Sequence, residues 1–424
     1  MKKIEFKKLN EFIYHEKLDN GLNVYLYPTS KTNTYHVSFF TKYGSIYNDF
    51  KYKYELKYKN YPLGIAHFLE HKLFESEKES AMEYFSKSGT KSNAFTSYNV
   101  TNYLIEGQEE YNDNLNYLID FVQKPHLTYE NVEKEKGIIE QEIYMYLDDP
   151  YYRLHEVNRF NLVNNHPIKY DIAGTVEDIK KITKEMLEDC YYTFYSPNNM
   201  YLLITGNIDV KDTIKIIKDN QNNKKFENKE YELKKYIEDE KVFKEYETIN
   251  MNVSTPMISY GIKSRLKTNL NKIKQSIYFQ LIFLENFDMI SDFYYACLKN
   301  KKVLSPFGLM FTDFDDYYLA YIMAETTVPE VLLTDIKDKF NNLKLSKEYF
   351  NRFKKKLISN IIYYFEDHND VNDYILGSII DYGYPCEDII DIYNELDYEE
   401  FVEFYNTLQF DNSSSLVIKN DRQK

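Results

Sequence analysis

The stretch "GIAHFLEHKLFE", residues 64–75, places two of the chain's eight histidines four positions apart with a glutamate between them. Positions i, i+3 and i+4 of a helix share one face, so His67, Glu70 and His71 project together. Two imidazoles and a neighbouring carboxylate are the groups that hold a catalytic metal ion. The order is the reverse of the His-Glu-x-x-His helix of zinc peptidases, whose glutamate acts as a general base. In the alternative interpretation the helix is simply amphipathic, and its histidines are ordinary polar residues.

A third protein ligand is expected in "VEKEKGIIEQEIYMYLDDP", residues 132–150, which has the pattern of a charged helix. Its candidates are Glu133, Glu135, Glu140 and Glu142. Glu133 and Glu140 lie two turns apart on one face, and so do Glu135 and Glu142, so spacing does not choose between the pairs. For any one of them, a solvent-exposed charged face is the simpler interpretation.

Length and composition predict a globular chain of two domains. With 424 residues, the chain is too long for one ordinary hydrophobic core. It is 43% hydrophobic and 28% charged without a run of eighteen apolar residues, which argues against a membrane protein. The opening "MKKIEFKKLN" has no apolar segment behind its basic residues, so a cytoplasmic location is expected. Three scattered cysteines, Cys190, Cys297 and Cys386, predict buried thiols rather than disulfides or metal ligands.

The net charge of -14 argues against a nucleic-acid partner, because phosphate binding needs a basic surface. It gives a weaker indication that the substrates are basic.

The first half of the chain predicts strands, then helices, then a strand. Strands are expected at 20–28, 34–48 and 200–208, a hairpin at 91–107, and helices at 64–76, 79–88, 109–124, 129–147, 150–164 and 183–195. This order indicates an α+β architecture, an antiparallel sheet with helices packed mainly on one face.

The second half repeats this plan after a charge-dense linker at 217–250, in which an edge strand is expected. Strands are expected at 256–264 and 414–419, a hairpin at 308–326, and helices at 271–286, at 289–300 and after the hairpin. A duplication with a period of about 200 residues is predicted, giving lobes at 1–216 and 251–424. The matching helix of the second lobe has no histidine, so only one lobe carries the site.

Four segments resemble the pitrilysin/insulinase family of metallopeptidases in order and spacing. They are "GIAHFLEHKLFE" (64–75), "SNAFTSYNVTNYLI" (92–105), "EKEKGIIEQEI" (133–143) and the stretch that begins "HPIKYDIAGTVEDI" (166–179). The resemblance is greatest to the bacterial processing-peptidase-like branch; it covers residues 10–210 and continues more faintly through the second half. It implies two similar lobes that close over a chamber, which would limit substrates to peptides and flexible segments.

The resemblance also implies roles for the candidate residues. In the family the zinc-binding glutamate closes an E-x6-E motif about seventy residues after the second histidine, which here is Glu142. His67, His71 and Glu142 are then the Zn²⁺ ligands and Glu70 the general base. Glu135, two turns before Glu142, would support the site.

The segment "SNAFTS", residues 92–97, is similar to the family's edge strand beside the zinc. A peptide would add to this strand through main-chain hydrogen bonds, at Asn93, Ala94 and Thr96. In the alternative interpretation it is an ordinary interior strand.

The chain departs from the family pattern in the second half. Members that act alone carry an arginine and, seven residues on, a tyrosine that bind the substrate backbone; here the positions hold Lys299 and Pro306. Lysine lacks the bidentate fork of arginine. A heterodimer with a homologous subunit that has the pair but lacks the histidine motif is therefore expected, whereas a homodimer would leave the pair missing. The other hypothesis is a non-proteolytic scaffold subunit with a vestigial zinc site.

Overall fold

The computed structural model describes residues 1–75 and 79–420. The last residue of the helix expected at 64–76 lies outside this part. The strands are β1 (Lys2–Phe6), β2 (Glu11–Lys17), β3 (Asn23–Pro28), β4 (Tyr35–Thr41), β5 (Asp49–Tyr52), β6 (Lys59–Asn60), β7 (Lys91–Thr96), β8 (Thr101–Gly107), β9 (Met200–Gly206), β10 (Tyr231–Leu233), β11 (Tyr246–Asn250), β12 (Met257–Arg265), β13 (Gly308–Phe314), β14 (Tyr317–Glu325) and β15 (Ser413–Lys419). The helices are α1 (Ile65–Leu73), α2 (Ala81–Ser86), α3 (Tyr111–Val122), α4 (Tyr129–Asp148), α5 (Pro150–Leu162), α6 (Val176–Lys181), α7 (Lys184–Phe194), α8 (Val210–Asn222), α9 (Lys272–Phe287), α10 (Asp292–Lys299), α11 (Pro329–Lys339), α12 (Lys347–Tyr364), α13 (His368–Tyr382), α14 (Ile389–Asn394) and α15 (Tyr398–Tyr405).

The two main sheets share one topology. The order β3-β9-β4-β8-β7 in the first recurs as β11-β15-β12-β14-β13 in the second. In each, the first pair is parallel and the other three are antiparallel. The predicted α+β duplication is thus confirmed, with one parallel pair where only antiparallel pairing was expected. Strands β1 and β2 extend the first sheet beyond β3 and were not predicted.

Each sheet belongs to a compact unit assembled from separate parts of the chain. The first unit comprises 1–143, 171–235 and 359–390; the second comprises 144–170, 236–358 and the chain from 391 onward. The sequence-based lobes place 144–170 and 359–390 in the opposite halves. The difference arises because the segments at 144–170 and 359–390 contain the helices α5 and α13, each of which covers a sheet built mostly from the other half.

Helix α13 covers the outer face of the first sheet, against β4 and β9. The odd-numbered apolar side chains of β4 enter the main apolar core. His36 and Ser38 point the other way: His36 Nδ1 lies 2.7 Å from Asn369 Oδ1, and Ser38 Oγ donates to Asn372 Oδ1 at 2.7 Å. A strand buried on both faces needs such a cover, so helices lie on both faces of this sheet rather than mainly on one.

Helix α5 makes the equivalent contact in the second unit, against β12 and β15. Asn158 Nδ2 donates to Ser259 Oγ at 2.7 Å. A Cβ at Gly261 would overlap the side chains of Leu162 and Asn158, so the missing side chain lets the helix approach the strand closely.

The segment predicted as a linker, 217–250, is largely structured. Helix α8 continues to Asn222, β10 pairs with β5 in a separate three-stranded sheet, and β11 is an edge strand of the second main sheet. The expected edge strand is therefore present, but the segment also contains the end of a helix and a second strand. Local periodicity fails here because β10 and β11 are short and half-exposed.

The three cysteines are buried and form no disulfide, as predicted. Among residues 1–75 and 79–420, no helix combines the length and apolar character that crossing a bilayer requires.

Gly64 fixes the start of α1. Its φ is +81°, and an added Cβ would overlap the carbonyl oxygen of Ala173. We expect Gly64→Ala to lower the free energy of unfolding by about 2 kcal/mol or more, because left-handed strain adds to the clash. Gly89→Ala is the matched control, since Gly89 also has a positive φ of +69° but nothing within 4 Å of its Cβ position. Urea denaturation of both variants measures the difference; equal losses would show that the clash contributes nothing.

Candidate metal centre

Helix α1 holds His67, Glu70 and His71 on one side and apolar residues on the other. Its apolar side chains are at most 1% exposed and belong to the core of the first unit. His67 and Glu70 are themselves buried, 9% and 8% exposed. The packed apolar side of α1 therefore fixes the rotation of the helix and the direction of its polar side chains.

His67, His71 and Glu142 form a compact group of potential ligands. His67 Nε2 lies 3.7 Å from Glu142 Oε1, and His71 Nε2 lies 3.4 Å from Glu142 Oε2. One ligand atom from each of the three can be chosen so that all lie within 4.8 Å of one another, and no other such group occurs in residues 1–75 and 79–420. Four ligands at zinc bond lengths in a tetrahedron are about 3.4 Å apart, so the two imidazoles and the carboxylate fit a zinc ion.

Glu135 supports this group through His71. Its Oε1 lies 3.0 Å from His71 Nδ1, which leaves Nε2 of the same ring directed toward Glu142. Its Oε2 accepts a hydrogen bond from Lys72 Nζ at 3.3 Å. Lys72 is fully buried and also pairs with Glu75 at 2.6 Å. The ion pair with Lys72 holds the Glu135 carboxylate in place, and Glu135 in turn fixes the orientation of the His71 ring.

The other pair of glutamates on α4 lies outside the group. Glu133 pairs with Lys136 at 2.6 Å and its side chain is 68% exposed. Glu140 pairs with Lys180 at 3.3 Å. The structure thus brings Glu135 and Glu142, and neither Glu133 nor Glu140, to the two histidines.

Sequence reasoning missed Lys72. The only available signal was a lysine on the helix face of Phe68 and Leu69, and this signal cannot identify a partner 63 positions away in the chain.

Glu70 is held by one hydroxyl. Thr96 Oγ1 donates a hydrogen bond to Glu70 Oε2 at 2.7 Å. The carboxylate is on the same side of α1 as the two imidazoles, one turn or less from each. A carboxylate on this side of the helix can exchange a proton with a group bound beside His67 and His71.

Burial and neighbouring charges set the protonation of the site. Burial raises the pKa of Glu70, and it lowers the pKa of His67 to about 4 with help from the adjacent His71. Burial also acts to lower the pKa of His71, but the hydrogen bond to Glu135 and the nearby carboxylates outweigh it and raise that pKa. Burial acts to raise the pKa of Glu135, while His71 and Lys72 bring it below its usual value. A neutral His67 is the form that donates a lone pair to a metal.

Strand β7 forms the edge of the first sheet beside α1. It pairs with β8 on one side, from Lys91↔Glu106 to Thr96↔Thr101, and is therefore an edge strand and not an interior one. Asn93 is exposed, and its Oδ1 accepts a hydrogen bond from the N–H of Ala94 at 2.9 Å. Thr96, the third residue expected to bind a peptide through its main chain, directs its hydroxyl toward Glu70.

Comparison with known families agrees with this architecture. The model of the insulinase family, peptidase family M16, matches residues 54–176. The model of the peptidase M16 inactive domain matches residues 181–357. The first match contains both histidines and Glu142, and the second covers much of the half without the histidine motif.

Comparisons with individual proteins also indicate peptidase family M16. The chain is 41% identical over 339 residues to the zinc protease YmfH of Bacillus subtilis, which is 79% of each chain. The crystal structure of an M16-like peptidase from Alicyclobacillus acidocaldarius superposes with a TM-score of 0.90 at 29% identity, covering 96% of this chain and 98% of that one. Pitrilysin has the same fold, with a TM-score of 0.73 at 17% identity over 99% of this chain and 46% of its own.

The fold is therefore that of the two-lobed M16 peptidases. The chain belongs to the insulinase family, peptidase family M16.

Proposed function

We propose that this protein is a zinc-dependent endopeptidase that hydrolyses peptides or a flexible precursor segment bound to β7, together with a homologous subunit that lacks the zinc motif. The observation that carries the proposal is the group formed by His67, His71 and Glu142, with atom separations of 3.4 and 3.7 Å. The family membership and the relatives named zinc proteases support it.

His67, His71 and Glu142 would hold the Zn²⁺ ion, and Glu135 would keep the His71 ring in place. Zinc bound there would polarise the scissile carbonyl and make a water molecule nucleophilic near neutral pH. Glu70, of the inverted His-x-x-Glu-His motif, would accept a proton from the attacking water and then deliver it to the leaving amine. The raised pKa of Glu70 suits a carboxylate that must carry a proton between these two steps.

The substrate would lie along β7 as an added strand. An edge strand offers its outer main-chain groups to an extended peptide, and such binding depends little on side chains. The peptide would displace the Asn93 side chain from the Ala94 N–H and take that hydrogen bond itself. Broad specificity for unfolded peptides is therefore expected.

The need for a partner is argued from the second half. Lys299 is the last residue of α10 and Pro306 lies in the following loop, both exposed. Neither can make the paired hydrogen bonds that an arginine fork gives a substrate backbone. A homologous subunit carrying the Arg–Tyr pair would supply them, whereas a second copy of this chain would not.

The competing function is a scaffold subunit that binds zinc without hydrolysing peptides, and the same missing pair favours it. Cleavage of a quenched mixed-peptide library separates the two. The zinc-loaded chain is assayed alone and with the homologous subunit of the same genome that lacks the histidine motif, with Glu70→Gln as control. Activity that rises with the subunit and disappears in Glu70→Gln supports the endopeptidase; no cleavage in any pairing, with zinc bound, supports the scaffold.

The cytoplasmic location stays a prediction that cell fractionation would test.

We expect Glu135→Gln to weaken zinc binding about 10- to 100-fold, because the amide cannot match the charge of Lys72 or orient His71 as well. Chelator competition measures the affinity. Glu133→Gln is the control, since the same helix carries it as an exposed side chain paired with Lys136. Equal affinities for the two variants would mean that Glu135 does not support the site.

A further inference from the structure

We infer that Thr96 is the residue that positions the general base, so that the strand which receives the peptide also orients Glu70. The inference rests on the proposed peptidase function. It gives the Thr96 side chain control of the Glu70 carboxylate, in addition to the main-chain contact with a peptide that is expected of this strand.

The hydrogen bond between Thr96 and Glu70 has a clear donor and a clear acceptor. Thr96 Oγ1 lies 2.7 Å from Glu70 Oε2 and is the only hydrogen-bond donor to that carboxylate within the described residues. Bonding one oxygen restricts rotation of the carboxylate and leaves Oε1 to exchange the proton. Glu70 as a residue is only 8% exposed, so few water molecules compete for the bonded oxygen.

A second hydroxyl directs the proton of Thr96. Thr101, the β8 residue opposite Thr96, donates its own hydroxyl proton to the Tyr43 carbonyl at 2.9 Å. Its Oγ1 lies 3.4 Å from Thr96 Oγ1, much farther than Glu70 Oε2. Thr101 therefore cannot also donate to Thr96, and the Thr96 proton points to Glu70.

The placement couples substrate binding to the base. Alternate residues of β7 direct their main-chain groups to the outer edge of the sheet. Ala94 is one of these residues, because its N–H donates to the Asn93 side chain and not to β8. Thr96 lies two positions further along the strand. A peptide that pairs with β7 is then aligned by the same strand whose side chain fixes Glu70. The relative position of scissile bond and base depends on one short strand.

Thr96→Val and Thr96→Ser test this inference. Valine keeps the branched shape but has no donor; serine keeps the donor but loses the methyl group. Steady-state kinetics on a quenched peptide, with the partner subunit if activity requires it, should show kcat about 10-fold lower in Thr96→Val with KM within twofold, and near-normal kcat in Thr96→Ser. Zinc affinity should be unchanged in both. In the Glu70→Gln background, Thr96→Val should cause no further loss.

Crystal structures of the two variants give a readout independent of activity. The Glu70 carboxylate should leave its position beside residue 96 in Thr96→Val and keep it in Thr96→Ser. A raised KM with normal kcat would make Thr96 a substrate-binding residue, and equal losses in both variants would make it a packing residue; either result overturns the inference. If the wild-type chain cleaves nothing in any pairing, the peptidase function fails, while an unmoved carboxylate in Thr96→Val would still refute the positioning role.

Discussion

Glu70→Gln is expected to reduce kcat/KM for peptide hydrolysis about 100- to 10,000-fold, the range typical of a lost general base. The amide has nearly the shape of the carboxylate and can still accept the Thr96 hydrogen bond, but it cannot take a proton from water. The fold and the zinc content should therefore remain unchanged. Hydrolysis of a quenched peptide and zinc analysis of the same preparation measure both quantities.

The control for this variant is Glu140→Gln, which removes one negative charge from the exposed pair with Lys180. It should retain full activity. If Glu70→Gln kept activity within a few fold of wild type, another group would have to be the base, and the proposed mechanism would be wrong. If it lost zinc as well, the glutamate would be a ligand rather than a base.

Glu142→Gln is expected to weaken zinc binding about 100- to 1,000-fold. A structural zinc site is stabilised by roughly 10–16 kcal/mol, so one of four ligands accounts for about 2.5–4 kcal/mol of it. The neutral amide is a poor substitute for the carboxylate oxygens that lie 3.7 and 3.4 Å from His67 and His71. Chelator competition, followed by metal analysis of the dialysed protein, measures the loss.

Glu140→Gln is again the matched control, because it makes the same chemical change two residues earlier on the same helix. Zinc binding should be normal there. Equal zinc affinity in the Glu140→Gln and Glu142→Gln proteins would mean that the metal, if bound, does not use α4, and the assignment of the third ligand would fail.

Local patterns predicted the elements that carry the site. The i, i+3, i+4 spacing placed His67, Glu70 and His71 on a helix, which extends over Ile65–Leu73. The hairpin expected at 91–107 is β7 and β8. The strand expected at 34–48 is shorter, since β4 ends at Thr41 and the N–H groups of Ser45 and Ile46 bond the loop at 97–98.

The choice between the glutamate pairs of α4 needed the tertiary structure. The buried apolar residues of this helix are Val132, Ile139 and Ile143. Glu135 and Glu142 flank that apolar stripe on one side, and Glu133 and Glu140 flank it on the other. Only the side from which α1 approaches decides between them, and one sequence does not record it. The resemblance to a family supplied the assignment instead.

The covering helices were equally beyond local reasoning. The alternation in β4 shows that His36 and Ser38 share a face, but it does not reveal that α13, more than 300 residues later, supplies their partners. Hydrogen bonds between side chains that are so distant along the chain produce no periodic pattern in the sequence. Contiguous lobes were the natural expectation for this reason.

The cover provided by α13 has a consequence for biosynthesis. A ribosome makes β4, α1 and α4 early, but the helix that shields the outer face of their sheet ends at Tyr382. Until then the nascent first unit exposes a strand built for burial on both faces, a surface that invites association with other chains. The strands of this sheet are complete at Gly206, but the cover of its outer face is complete only when Tyr382 has been translated. The outer face of the first sheet therefore stays uncovered while residues 236–358 of the second unit are being synthesised.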